Sequence, residues 1–122
     1  MLFRSALGAE PDTSSSRPSE NGLFVVSVAE RPDPVPLNEI HTWTVHVETA
    51  EGVPVDDATI DIDGGMPMHD HGLPTAPRVT AAPGEGDYLL EGMKFQMPGH
   101  WVVRLDIETD GASDAVTFEL ML

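Results

Sequence analysis

Two short stretches of this chain concentrate its metal-ligating side chains. Met66-Pro67-Met68-His69-Asp70-His71 is the first, and Met97-Pro98-Gly99-His100 the second. With Met93 just upstream of the second, they hold four of the six methionines and three of the five histidines. Thioether sulfur is a soft neutral donor that suits Cu(I) and serves hard cations badly, while imidazole serves both copper oxidation states. A methionine/histidine set without thiolate therefore points to copper, with Cu(I) favoured and Cu(II) also accommodated. The chain has no cysteine. That excludes disulfides, zinc–thiolate sites, thiol redox chemistry and a blue-copper centre.

Spacing narrows the ligand set. In extended backbone, residues two apart face the same way, so His69 and His71 converge, with Met66 and Met68 opposite them unless the loop turns. The minimal set is His69, His71 and Met97, completed by Met66 or Met68; His100 comes next. Met93 falls within a strand and reads as core. A lone His-x-His is a common surface feature and Met-Pro a weaker signal still, so the conjunction of the two loops carries the reading. Asp70 reads as a solvated loop carboxylate. His41 and His46 lie in a strand, as an edge residue and a solvent-facing residue, and Trp43 and Trp101 as core.

The elements that must position these loops are strands. From Leu23 onward hydrophobicity alternates with period two, and turn residues recur every eight to twelve positions, the pattern of a sandwich or barrel. Strands are expected at Leu23–Glu30, Ile40–Thr49, Ala58–Asp63, Arg78–Ala82, Asp87–Phe95, Trp101–Glu108 and Ser113–Leu122. Turns fall at Glu51-Gly52, Pro83-Gly84-Glu85-Gly86 and Asp110-Gly111. Trp43, Ile60, Ile62, Val103, Leu105 and Phe118 are the predicted core. The fold class is all-β, an immunoglobulin-like antiparallel β-sandwich of about seven strands. If successive strands alternate in direction, with Arg78–Ala82 crossing the molecule, both methionine/histidine loops emerge at the same end. Residues 1–22 are expected to form a disordered leader or tether, since 10–22 are rich in Ser, Pro and Glu. The domain is then 23–122.

Bulk composition sets the partners. The chain has 122 residues and a formal net charge of −15, which repels nucleic-acid phosphates and anionic lipid. No apolar run approaches the roughly 20 residues of a membrane-spanning helix, and the first residues, Met1-Leu2-Phe3-Arg4 and onward, show no complete signal peptide. There is no Ser/His/Asp or Cys/His arrangement for nucleophilic catalysis, and no histidine near a plausible processing point for a histidine brace. The chain therefore reads as a non-enzyme.

The order of residues is also familiar. Gly52-x-Pro54-Val55-x-x-Ala58, Met66-Pro67-x-His69-x-His71-Gly72, Pro77, Gly86-x-Tyr88 and Phe95-x-Met97-x-Gly99-x-Trp101 together resemble the YtkA-like (FixH-related) domains, small extracytoplasmic β-sandwiches associated with copper handling. The resemblance covers about residues 23–122. By position it implicates Met66, Met68, His69, His71 and Met97, with His100 at a variable place in the pattern. It implies copper as the bound metal, a periplasmic or other extracytoplasmic location, and a role in copper trafficking, delivery or tolerance with a copper donor or acceptor protein. Two loops at one end would also let two chains share a site as a homodimer. The rival expectation is a metal-free immunoglobulin-like interaction or assembly module.

Overall fold

The computed structural model describes residues 12–122. The first eleven residues, which include the expected start of the leader and the segment read for a signal peptide, lie outside the described part. The described residues form nine strands and no helix: β1 (Ser16–Pro18), β2 (Phe24–Glu30), β3 (His41–Thr49), β4 (Thr59–Met66), β5 (His71–Gly72), β6 (Arg78–Gly84), β7 (Asp87–Met93), β8 (His100–Thr109) and β9 (Ala112–Met121). One sheet has the order β1-β2-β3-β7-β6 and the other β5-β4-β8-β9. Every pairing is antiparallel.

All seven expected strands are present, within a few residues of their expected ends. Alternation explains them. In β3, His41, Trp43, Val45 and Val47 are buried; in β8 the inward set is Trp101, Val103, Leu105 and Ile107. The core cluster joins these to Val26, Leu90, Ile60 and Phe118, so both sheets contribute to one interior. Burying such side chains is worth about 1.5–3 kcal/mol each. At the loop end of this interior, Phe95 lies edge-on to Trp101 at 5.2 Å between ring centroids and 6.2 Å from Trp43.

Three expectations need correction. Ile62 is only half-buried, packed at the margin of the core. His41 is not an exposed edge residue: it pairs with Met93 of β7, packs against Phe95 and is 8% exposed. Its Nε2 accepts the Trp43 indole N–H at 3.1 Å, and its Nδ1 lies 3.0 Å from the Glu39 carbonyl oxygen. Burial is tolerated because both ring nitrogens have partners.

The third concerns the leader, because order begins well before Leu23. β1 pairs with β2, and the next few residues are stitched to β9. The Asp114 carboxylate, 6% exposed, accepts the Ser19 hydroxyl at 2.6 Å and backbone N–H groups of Asn21 (3.0 Å), Leu23 (3.3 Å) and Ala115 (2.8 Å). Burial pushes this carboxyl up, but those hydrogen bonds outweigh it and hold Asp114 below the ordinary carboxylate range. A polar composition reads locally as disorder, while the acceptor that orders it lies more than ninety residues away.

One link bears directly on the site. The Tyr88 hydroxyl donates to the Val55 carbonyl at 2.6 Å and accepts the Ala58 N–H at 3.0 Å. It thereby fixes the crossover that feeds β4, the strand that delivers the first methionine/histidine loop.

Candidate metal centre

The strand directions hold as expected: β4 and β7 run toward the end of the sandwich where β8 begins. Both loops therefore meet there, and a contact proves it. A Cβ built on Gly99 of the second loop would lie 2.5 Å from the terminal methyl of Met66 in the first.

The first loop turns sharply. β4 and β5 form a hairpin in which Met66 pairs with His71 and Gly65 with Gly72. Residues 67–70 make the turn, closed by the His69 N–H donating to the Met66 carbonyl at 3.1 Å. Asp70 takes a φ of 54°, a left-handed conformation that Asp tolerates better than most residues. The pairing is close: a Cβ on Gly65 would meet the His71 carbonyl oxygen well inside the 3.0 Å that real Cβ atoms respect. Only glycine lets the two short strands approach in this way.

This turn decides what the spacing left open. Directly paired residues in an antiparallel sheet share a face, so His71 leaves the hairpin on the same face as Met66 rather than opposite it. The His69 and His71 rings lie side by side, 6.3 Å between centroids and 36° between planes. Both histidines are exposed. Met68, at the tip, is 79% exposed, whereas Met66 two residues earlier is 2% exposed and belongs to the core.

The second loop is held by its backbone. The Trp101 indole N–H donates to the Met97 carbonyl at 2.9 Å. Gly99 exchanges two hydrogen bonds with Leu122, at 2.7 and 2.9 Å. Met97 is half-buried against the core. His100 pairs with Glu119, Nε2 to Oε1 at 2.8 Å, which engages that nitrogen and leaves only Nδ1 open to a metal. Met93 is fully buried, as expected of a core residue. Gln96 has a buried side-chain oxygen without a hydrogen-bond partner among the described residues; such an orphan costs about 1–3 kcal/mol. No sequence signal marked Gln96, since its burial depends on how the loop folds over the aromatic core.

Among the described residues no three His, Asp or Glu side chains gather into a metal site. Beside the hairpin an open groove of about 450 Å³ runs along the outward residues Asp63, Gly65, Val102 and Arg104 to Asp70 and His71.

A second histidine cluster lies toward the other end of the sandwich. His46 Nδ1 is 2.9 Å from Asp87 and Nε2 is 3.1 Å from Glu48. The Asp87 hydrogen bond, opposed by burial and reinforced by Glu48, raises the His46 pKa above its ordinary value. Its two nitrogens point to separate carboxylates, an arrangement for an imidazolium and not for a shared ion.

Comparison with curated proteins finds no match, and neither does comparison with solved structures. The family model described as YtkA-like matches residues 18–106. That span includes the Tyr88 crossover lock, the glycine-paired hairpin and the Trp101-held second loop, and the protein is accordingly a member of the YtkA-like family.

Proposed function

We propose that this protein binds copper as cargo, Cu(I) in preference to Cu(II), for trafficking, delivery or tolerance. The carrying observation is the His69/His71 pair on a hairpin packed, through Met66 and Gly99, against the loop that bears Met97. Two imidazoles beside thioether sulfur form a soft, neutral donor set that matches Cu(I). His69, His71 and Met97 are the core ligands, with Met66 or Met68 completing the set. The residues fit the ion in a second respect. The hairpin and second loop are fixed by backbone hydrogen bonds, so the donors are presented on a framework that ion binding need not build.

The protein acts by reversible coordination, without catalysis. We place it in the periplasm or another extracytoplasmic space, where a site free of thiolate escapes disulfide formation. Its partners are a copper donor and a copper acceptor.

The test is a competition titration with a Cu(I)-specific chelator on the double variant His69→Ala/His71→Ala. High-affinity binding is lost, by about 100-fold or more, while the unfolding midpoint of the metal-free protein stays near wild type because both side chains are exposed. Undiminished affinity would place the ligands elsewhere. A wild-type protein that takes up no copper at all would favour the metal-free interaction module.

A further inference from the structure

Met66 occupies a different position from the other ligand candidates, and we infer that it is a positioning residue: it locks the two loops together and leaves Met68 as the first loop's thioether ligand. The copper consequences of this inference rest on the proposed copper-binding function; its mechanical part does not.

Met66 supports both halves of the centre at once. Its backbone organises the histidines, since it pairs with His71 and its carbonyl accepts the His69 N–H. Its side chain, sealed from solvent, reaches across to Gly99. Gly99 cannot easily retreat. Its N–H and C=O are both committed to Leu122, and its φ of 137° lies where only glycine is comfortable. On either flank of Gly99 the second loop is tied again, at the Met97 carbonyl by Trp101 and at His100 by Glu119. The Met66 methyl therefore abuts a tethered backbone inside the core, and a shift of the hairpin larger than the Met66 side chain can absorb is transmitted to the loop carrying Met97. What this role needs from residue 66 is length and shape; sulfur is incidental to it. Met68 has the opposite character, with a bare thioether at the tip of the turn and no packing duty.

The decisive variants are Met66→Leu and Met68→Leu, which remove sulfur at nearly constant volume. Each is loaded with Cu(I) and examined by chelator competition and X-ray absorption. Met66→Leu keeps its Cu(I) affinity within about threefold of wild type and the same number of Cu–S scatterers. Met68→Leu loses one scatterer and at least about tenfold in affinity. The reverse pattern makes Met66 a ligand and overturns the assignment. A metal-free arm tests the lock independently, by urea unfolding of Met66→Ala, Gly99→Ala and the double variant. Shortening residue 66 removes the atom that a Cβ at position 99 would strike. The double variant's unfolding constant is therefore at least about tenfold smaller than the product of the single effects predicts, and the Trp101 indole N–H shift moves back toward wild type. Simple multiplication of the two effects rules out the lock, whatever copper does. If wild-type protein binds no copper, the copper-binding proposal fails, and the metal-free arm still decides the mechanical claim.

Discussion

Gly65→Ala separates stability from metal binding, because Gly65 lies where the hairpin is tightest. A Cβ there would press on the His71 carbonyl oxygen and come within 3.2 Å of the Gly72 Cα. To restore ordinary van der Waals separation, β5 must withdraw from β4 by roughly 1 Å. β5 has only two residues and both are exposed, so the sandwich yields there without unpacking its core. The loss is one or two backbone hydrogen bonds at about 1 kcal/mol each, a fall in melting temperature of roughly 3–10 °C for a domain of this size. The binding loss is larger in proportion. His71 moves with its backbone, and removing the support of a metal ligand typically costs about 10–100-fold in affinity. Gly72→Ala is the control. It lies in the same pair of strands, yet its Cβ would find nothing nearer than the Gly64 carbonyl oxygen at 3.9 Å. That variant stays within about 0.5 kcal/mol of wild type and keeps its copper. Thermal unfolding of the metal-free proteins and Cu(I) competition titrations, run on both variants, read the two effects. Wild-type copper affinity in Gly65→Ala, or an equal loss in Gly72→Ala, would refute the claim that this hairpin geometry presents His71.

Three further outcomes follow from the same structure. Met97→Ala weakens Cu(I) by about tenfold or more and Cu(II) much less, because thioether prefers the softer ion; parallel titrations in both oxidation states check this, and equal losses would remove methionine from the mechanism. Asp114→Asn leaves several buried donors without their anionic acceptor and destabilises by about 2–4 kcal/mol at neutral pH. Because the Asp114 pKa is lowered on folding, its contribution is present above the ordinary aspartate value of 3.8 and disappears as pH falls through the folded value. Urea midpoints of wild type and variant should therefore approach each other in acid. His46→Gln works in the opposite sense. A raised folded pKa means the stabilisation is complete below the ordinary histidine value of 6.5 and lost as pH rises through the folded value. The variant is therefore less stable than wild type by about 0.5–1 kcal/mol at pH 6, and the gap closes in alkaline solution; a gap that widens with pH would contradict the imidazolium pairing.

Alternation was enough to predict the sandwich from local pattern. A strand with one buried face must place apolar residues at every second position, and β3, β8 and β9 do so almost without exception. The seven principal strands, the position of both loops at one end and the core status of Trp43, Trp101 and Met93 were legible for this reason. The proposed soft-metal chemistry also rests on the residue types in the loops, since a donor's softness belongs to the side chain and not to its surroundings.

What depended on contacts between distant segments was not legible. Residues 16–23 look like tether until β2 pairs with β1 and Asp114 supplies an acceptor for Ser19, Asn21 and Leu23. His41 looks like an edge residue until the loop after β7 packs Phe95 against it. Met66 and Met68 are equivalent in sequence, two residues apart beside the same proline, yet the turn buries one against Gly99 and leaves the other in solvent. The sequence determined which candidate donor atoms lie in the two loops and at which end of the fold they gather. The tertiary structure alone decided how they face one another, because that depends on a four-residue turn, a pair of glycines in register and a methionine methyl resting on a backbone thirty-three residues away.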